Sequence, residues 1–160
     1  MFSTTDLEVL AQFLVKAKTV TYASGNQDYA VKPALSGSHQ LEYLDKDLQY
    51  RDIYYGGMHF IGIETVFEKE IPIWGMCYYG GVLPDSDDEH IAGMPPFLKA
   101  ALCKAPLEAP FRGPKTFQLG DYTYKNEIHV DILSFYGFEC IRIQGHAIYN
   151  LRYNGGLVKS

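Results

Sequence analysis

Apolar residues recur three or four residues apart near the start of the chain. This spacing is typical of a helix with one face in a core, and the residues that share the face are Leu7, Leu10, Phe13, Leu14 and Ala17. The pattern therefore predicts a helix over residues 6–18. Residues 24–38 are rich in glycine, proline and polar side chains, which indicates a loop or a partly covering segment.

After residue 38 the pattern changes to alternation, which predicts four strands. Their ranges are 40–44, 48–55, 58–68 and 71–79. Turns are predicted at Asp45-Lys46-Asp47 and at Gly56-Gly57, because glycine accepts the positive φ that tight hairpins require. In the strand over 71–79 both alternating sets of residues are partly apolar, so we expect both of its faces to be covered.

A similar order of elements follows residue 83. Residues 84–93 are acidic and indicate a surface loop, and Pro95-Pro96 then opens a second helix over residues 96–104, since proline is tolerated in a first helical turn. Three further strands are predicted at 122–127, 130–144 and 147–153, with a turn at Gln144-Gly145-His146.

The strongest pattern is an internal repeat. Residues 60–83 read FIGIETVFEKEIPIWGMCYYGGVL, and residues 135–158 read FYGFECIRIQGHAIYNLRYNGGLV. Aligned without a gap, seven of 24 positions are identical: Phe60/Phe135, Gly62/Gly137, Glu64/Glu139, Ile73/Ile148, Tyr78/Tyr153, Gly80/Gly155 and Gly81/Gly156. A repeat this long indicates one domain of two similar halves rather than a solenoid.

The repeat predicts the fold class. We expect a single α+β domain over residues 1–160, with halves at about 1–83 and 84–160. Each half would contain a helix and the three strands that the two halves share, the strands would form one antiparallel sheet, and the halves would pack about a pseudo-twofold axis. Elements related by such an axis meet along it, so we expect Glu64 and Glu139 to lie in one shared concavity.

Composition and charge exclude several function classes. The chain is 47% hydrophobic and 21% charged, which is typical of a globular protein. A net charge of −5 argues against nucleic acid as a direct partner. No apolar run is long enough to span a membrane. Three widely spaced cysteines without a signal peptide predict reduced thiols in a cytoplasm, and neither a metal-ligand spacing nor a cofactor motif is present.

The two repeated glutamates are the leading candidates for chemistry. Glu64 and Glu139 each alternate with apolar residues, so each is predicted to point into a core. A buried carboxylate is costly unless it is paired or hydrogen-bonded, and burial raises its pKa. Three interpretations stay open: hydrogen bonds to tyrosines that join strands, an acid that binds a ligand, or a catalytic acid or base.

Other candidates lie on neighbouring strands. Asp52, whose counterpart in the second half is Asn126, and Glu42 are either functional acids or surface residues paired with Arg51 or Lys46. Trp74 and its counterpart Tyr149 are either the wall of a cleft or part of the core. Tyr50, Tyr78 and Tyr153 are further candidates for a ligand-binding wall. The glycine pairs at 80–81 and 155–156 are predicted to be bulges or close backbone approaches.

Several motifs resemble a known family. They are FLVKAKTVTYAS (13–24), VKPALSGSHQLEY (31–43), YRDIYYG (50–56), FIGIETV (60–66), IWGMCYYGGV (73–82), FRGPKTFQLGDYTY (111–124) and YNGGL (153–157). Together they resemble bacterial domain-of-unknown-function family 5680 over residues 11–159. Some members are fused to helix-turn-helix domains, which implies an effector-sensing role. The predicted architecture is also similar to that of duplicated effector domains that bind lipophilic cations with a central glutamate.

These observations predict a binding domain for a small cationic or polar-aromatic molecule. The ligand-binding residues would be Glu64, Glu139, Asp52, Tyr50, Tyr78, Tyr153 and Trp74, with no metal and no cofactor. A first alternative is a small hydrolase or isomerase with Glu64 or Asp52 as general acid or base. A second alternative is a protein-interaction module, and a homodimer stays an option for the oligomeric state.

Overall fold

An antiparallel sheet dominates the computed structural model, which describes residues 4–23, 27–84, 86 and 88–158. Within these ranges there are eight strands: β1 (His39–Asp45), β2 (Leu48–Gly56), β3 (His59–Glu68), β4 (Ile71–Val82), β5 (Thr116–Leu119), β6 (Tyr122–Asp131), β7 (Ser134–Ile143) and β8 (His146–Leu157). Two helices accompany them, α1 (Thr4–Lys18) and α2 (Asp88–Leu102). The predicted α+β class with an antiparallel sheet is confirmed.

The strand order is β1-β2-β3-β4-β8-β7-β6-β5. Strands β4 and β8 therefore meet at the centre of the sheet, and Tyr78 lies opposite Tyr153 there. The registers on either side correspond, because Asp52 pairs with Glu64 across β2 and β3, and Asn126 pairs with Glu139 across β6 and β7. The pseudo-twofold relation between the complete halves stays a prediction.

Both helices contribute to a single core on one face of the sheet. Leu10, Phe13 and Leu14 of α1 and Phe97 and Leu98 of α2 are buried in one cluster with the inward side chains of the strands. Removal of this apolar surface from water is the main stabilising contribution. The predicted helix over residues 6–18 is confirmed, and a π-helical turn, Thr19–Ala23, continues it.

The opposite face of the sheet is exposed, so the expectation that both faces are covered is wrong. Ile61 and Ile63 of β3 are 54% and 51% exposed, and Tyr79 of β4 is 61% exposed. The two helices lie on the other face, and β-branched and aromatic residues are favoured in strands even where they stay accessible. Apolar residues at both parities therefore do not require two covered faces.

The second helix begins earlier than predicted. It starts at Asp88, so the loop prediction for residues 84–93 is wrong from there onward, and Asp85 and Asp87 lie outside the described residues. Pro95 and Pro96 lie inside the helix. Acidic residues in a first turn stabilise a helix N-terminus, and Ile91 and Met94 pack against the core. These contributions outweigh the hydrogen bonds that the prolines remove.

The remaining differences concern ends of strands and one short strand. Strand β5 is absent from the prediction because its polar and apolar residues alternate over only four positions, which is too short a run to indicate a strand. The glycine pairs confirm the predicted close backbone approach: a Cβ on Gly80 would lie 2.2 Å from the Asn150 carbonyl oxygen, and a Cβ on Gly155 would lie 2.2 Å from the Gly75 carbonyl oxygen. In the described ranges no helix is long and apolar enough to cross a membrane.

Candidate functional site

Two tyrosine side chains each extend over the neighbouring strand of the sheet and form a hydrogen bond with the strand beyond it. Tyr78 of β4 donates a hydrogen bond from its hydroxyl to Asp52 Oδ1 of β2, at 2.8 Å. Tyr153 of β8 donates to Asn126 Oδ1 of β6, also at 2.8 Å. Each ring passes over a strand that lies between, and there the repeat places Gly62 and Gly137. A Cβ added to Gly62 would lie 2.3 Å from the Tyr78 hydroxyl oxygen, and a Cβ added to Gly137 would lie 2.2 Å from Tyr153 Cζ.

This geometry predicts a large difference between two glycine substitutions. Gly62→Ala should lower the free energy of unfolding by about 1–3 kcal/mol, because the new methyl group displaces the Tyr78 ring from Asp52. Gly57→Ala is the matched control, since a Cβ at Gly57 would meet no atom within 4 Å. Urea denaturation of both variants measures the difference. Equal stability of the two variants would show that the Tyr78 ring is not held against Gly62.

Glu64 is paired with a cation from α1. Its Oε2 forms an ion pair with Lys18 Nζ, and Lys18 also donates to the Phe111 carbonyl oxygen at 2.5 Å. Burial lowers the pKa of Lys18, and the Glu64 carboxylate partly offsets this effect. Burial and Glu64 raise the pKa of Tyr50 well above its ordinary value, so the phenol keeps its proton. Glu64 therefore already has a counter-ion from the protein itself.

Glu139 has its own cation and is completely buried. Arg112 donates from Nε to Oε2 at 3.1 Å and from Nη2 to Oε1 at 2.6 Å. Tyr124 and Tyr149 donate to the same carboxylate at 2.6 and 2.9 Å. Burial alone would lower the pKa of Arg112, but the carboxylate of Glu139 outweighs that cost and the pKa is raised. Such a bidentate pair fixes both partners strongly.

The chain before β5 fills the space beside Glu139. The backbone N–H of Gly113 donates to the Tyr124 hydroxyl oxygen at 3.0 Å, and Asn126 Nδ2 donates to the Gly113 carbonyl oxygen at 2.9 Å. Phe111 is fully buried and stacks on Phe135, with ring centroids 3.7 Å apart. The segment from Phe111 to Gly113 is thus held by the side chains of the second half.

The first half has a cavity of about 230 Å³. Its lining residues come from α1, β1 to β4, the turn between β2 and β3, the end of α2 and the chain after it; they are Lys18, His39, Tyr50, Asp52, Tyr54, Gly56, Gly57, Phe60, Glu64, Tyr78, Leu102, Ala105, Phe111 and Arg112. Lys18, Asp52, Glu64 and Arg112 are buried, whereas His39, Gly56 and Gly57 are exposed. The cavity therefore runs from an exposed rim to a charged floor, between aromatic walls.

Asp52, on the cavity floor, has a raised pKa. Burial, and next to it the Glu64 carboxylate, raise the pKa of Asp52 from 3.8 to about 7, although the Tyr78 hydroxyl, Lys18 and Arg112 oppose the rise. Burial and the charge of Asp52 in turn raise the pKa of Tyr78 well above its ordinary value. Tyr78 therefore stays a hydrogen-bond donor while Asp52 changes charge near neutral pH.

Comparison with protein families identifies the domain. The profile of DUF5680, a domain of unknown function, matches residues 52–158, which is more than half of the chain. The chain belongs to the DUF5680 family. Neither a search of curated proteins nor a search of solved structures found a significant match. The matched region begins at Asp52 and includes Glu64, Tyr78, Arg112 and Glu139, whereas Lys18 and Tyr50 precede it.

In this DUF5680 chain the predicted ligand-binding residues separate into two groups. Asp52, Glu64, Tyr50 and Tyr78 line the cavity, whereas Glu139, Tyr153 and Trp74 do not. Strands β4 and β8 lie between β3 and β7, so the backbones at Glu64 and Glu139 are three strand spacings, or roughly 14 Å, apart across the sheet. The register also places Phe135, four residues from Glu139, directly across from Glu64, which adds roughly 13 Å along the strands. The expectation of one concavity shared by both glutamates is therefore wrong. The equivalent residues that lie opposite each other at the centre of the sheet are instead Tyr78 and Tyr153.

Two of the other candidates lie away from the cavity. Trp74 is fully buried in an aromatic cluster, with ring centroids 5.7 Å from Phe135 and 6.4 Å from Phe111. Glu42 accepts a hydrogen bond from Arg51 Nε at 2.7 Å and belongs to a polar group with Gln40 and Gln49. Trp74 is part of the core, and Glu42 has the predicted surface pairing with Arg51.

The two cations of the DUF5680 site were missed by sequence reasoning. The sequence does contain a signal for Lys18. When FLVKAK (13–18) is aligned with FLKAAL (97–102), Phe, Leu and Ala match, and Lys18 is aligned with the apolar residue Leu102. A lysine on a helical face that is otherwise apolar indicates a buried charge with a partner. Arg112 lies in a loop without a periodic pattern, and its role depends on tertiary contacts.

Proposed function

We propose that this DUF5680 protein binds a small organic molecule in the cavity of its first half. The observation that carries the proposal is the cavity itself: an accessible recess of about 230 Å³ with buried carboxyl and cationic side chains at its floor. Recesses with mostly apolar walls and a few convergent polar groups are the usual form of small-molecule sites. Cores are otherwise packed without voids of this size.

The size and the walls favour a compact ligand with an aromatic or cationic part. A cavity of 150 Å³ in another protein accommodates benzene, so about 230 Å³ accommodates roughly ten non-hydrogen atoms. Tyr54, Phe60, Tyr78 and Phe111 contribute aromatic surface to the walls. Aromatic faces attract both flat apolar rings and cations. These features support the binding of a cationic or polar-aromatic molecule.

Substitution of Gly57 provides a test that leaves the floor intact. Gly57 lies at the exposed rim, and a Cβ there would meet no atom within 4 Å. We expect Gly57→Trp to close the cavity without loss of stability and to weaken ligand binding at least tenfold. Gln118→Trp, which changes an exposed residue of β5, is the matched control.

The measurement is a thermal-shift screen followed by titration of the compounds that stabilise the wild-type protein. The panel contains aromatic amines, amidines and neutral aromatic compounds of about ten non-hydrogen atoms. Compounds that stabilise the wild type and Gln118→Trp, but not Gly57→Trp, support the proposal. It fails if no compound stabilises the wild type, or if every compound that does so also stabilises Gly57→Trp.

A second candidate function is catalysis, and the environment of Asp52 favours it. A buried carboxyl with a pKa of about 7, next to a phenol that donates to it, is suited to general acid–base chemistry at neutral pH. Glu64 is less suited to this role because its carboxylate already forms an ion pair with Lys18. Incubation of the same panel with the protein and mass spectrometry of the products tests this function. Turnover that Asp52→Asn abolishes would support an enzyme.

We also propose a cytoplasmic location. Cys77, Cys103 and Cys140 are all free thiols, which is the usual state of cysteine in a reducing compartment. Fractionation of cells that produce the protein would show directly which compartment contains it.

A further inference from the structure

The buried charges of the described residues do not balance. Two basic side chains, Lys18 and Arg112, and three acidic side chains, Asp52, Glu64 and Glu139, are buried there. Lys18 pairs with Glu64 and Arg112 pairs with Glu139. Within the described ranges Asp52 has no ion-pair partner, and its Oδ1 accepts a hydrogen bond from the neutral hydroxyl of Tyr78. One carboxyl on the cavity floor is therefore left without a cation.

We propose that Asp52, and not either glutamate, is the residue that recognises the ligand, and that the ligand is an organic monocation that takes the place of a proton on this carboxyl. This inference rests on the proposed function and deepens it by naming the ligand class. A compound with one amidinium or ammonium group and an aromatic part meets the requirement, because its charge completes the third ion pair. An anionic ligand would add to the unbalanced negative charge.

The comparison between the halves points to the same residue. Asn126 has the place of Asp52 in the second half and accepts the same kind of hydrogen bond, from Tyr153. Its neighbourhood is filled by the segment at Gly113, to which Asn126 donates. The half that is filled by the chain has a neutral amide, and the half with the cavity has an ionisable carboxyl. The difference is expected if the carboxyl serves a molecule from outside.

Several charged or titratable groups line the cavity together with Asp52. They are Lys18 of α1, His39 of β1, Tyr50 and Tyr54 of β2, Glu64 of β3, Tyr78 of β4 and Arg112 from the chain after α2. Burial and Glu64 favour the protonated form of Asp52, and they hold its pKa near 7. A cation in the cavity favours the ionised form. The proton that leaves the carboxyl passes to the solvent, so binding releases it to the buffer.

Calorimetric titration with benzamidine and its neutral isostere benzamide tests the inference. Titrations at pH 6 in two buffers of different ionisation enthalpy measure the released protons. We expect close to one proton per bound benzamidine at pH 6, about none above pH 8, and about tenfold tighter binding at pH 8 than at pH 6. Benzamide should release no proton, and its affinity should not change with pH.

Two variants complete the experiment. Asp52→Asn should weaken benzamidine binding at pH 8 at least tenfold and abolish proton release, and Asp121→Asn, which removes one exposed carboxylate, should change neither. The inference is overturned if benzamidine binds Asp52→Asn as tightly as wild type, releases no proton, or binds no better than benzamide. In those cases binding that Gly57→Trp abolishes would still support the proposed function. If neither compound binds the wild type, the inference is contradicted as well.

Discussion

Arg112→Met should lower the free energy of unfolding by about 3–5 kcal/mol, because it leaves the Glu139 carboxylate buried without its cation. Glu139 is fully buried and Arg112 is 7% exposed. The two hydrogen bonds between them are lost together, and Glu139 itself has no exposed surface. Removal of one partner from a buried ion pair is among the most destabilising single changes in proteins.

Urea denaturation at pH 7 measures this loss, and a second substitution identifies its cause. In Arg112→Met/Glu139→Gln the uncompensated charge is gone. Tyr124 and Tyr149 donate to different carboxylate oxygens, so the amide oxygen can accept from one hydroxyl and the amide NH2 can donate to the other. We expect the double variant to recover more than half of the lost stability. A single variant that loses less than about 1 kcal/mol would mean that the pair contributes no more than an exposed salt bridge.

Asp52→Asn should stabilise the protein above pH 7 and have little effect near pH 4. In the folded state the pKa of Asp52 is about 7, whereas in the unfolded chain it is close to its ordinary value of 3.8. Below pH 4 the carboxyl is protonated in both states and contributes no difference. Between pH 4 and 7 the unfolded state gives up the proton and the folded state keeps it, so the wild type loses stability as the pH rises.

The expected difference between the variant and the wild type reaches up to about 4 kcal/mol above pH 7 and then stays constant. Asparagine accepts the Tyr78 hydrogen bond as Asn126 accepts that of Tyr153, so the substitution is compatible with the fold. Urea denaturation at intervals between pH 4 and 8 gives the profile, with Asp121→Asn as the control. A difference that does not change with pH would show that Asp52 has an ordinary pKa.

Local patterns predicted most of the sheet. Alternation located the strands, and the Gly56-Gly57 turn agrees with a φ of 91° at Gly56. The gapless repeat predicted that residues 60–83 and 135–158 form equivalent hairpins, and β3–β4 and β7–β8 occupy these ranges. These features depend on neighbouring residues and on the twofold period of a strand. They can therefore be predicted from the sequence without knowledge of distant contacts.

The site was only partly predictable, because its charges meet through tertiary contacts. The repeat identified Glu64, Glu139 and the tyrosine pair, and alternation identified Asp52. Neither pattern could show that Lys18 and Arg112 neutralise the two glutamates, since Lys18 comes from the end of a helix and Arg112 from a loop. The sequence similarity of the halves also concealed their difference: the chain at Phe111 fills one half and leaves the cavity in the other.

The prediction that both glutamates serve a ligand changes accordingly. The structure assigns Glu64 and Glu139 to internal ion pairs, and the proposed recognition of a cation rests on Asp52. The protein-interaction module and the homodimer stay predictions. The exposed face with Ile61, Ile63 and Tyr79 is the surface on which either would be sought first.

The decisive experiment is a crystal structure of the protein grown with benzamidine. We expect one benzamidine in the cavity of the first half, with its ring against the aromatic walls and an amidinium nitrogen within about 3 Å of an Asp52 carboxylate oxygen. The Lys18–Glu64 and Arg112–Glu139 pairs should be unchanged. A cavity that contains only water at saturating benzamidine, or an amidinium bound at Glu64 or Glu139 in place of the protein's own cation, would contradict it.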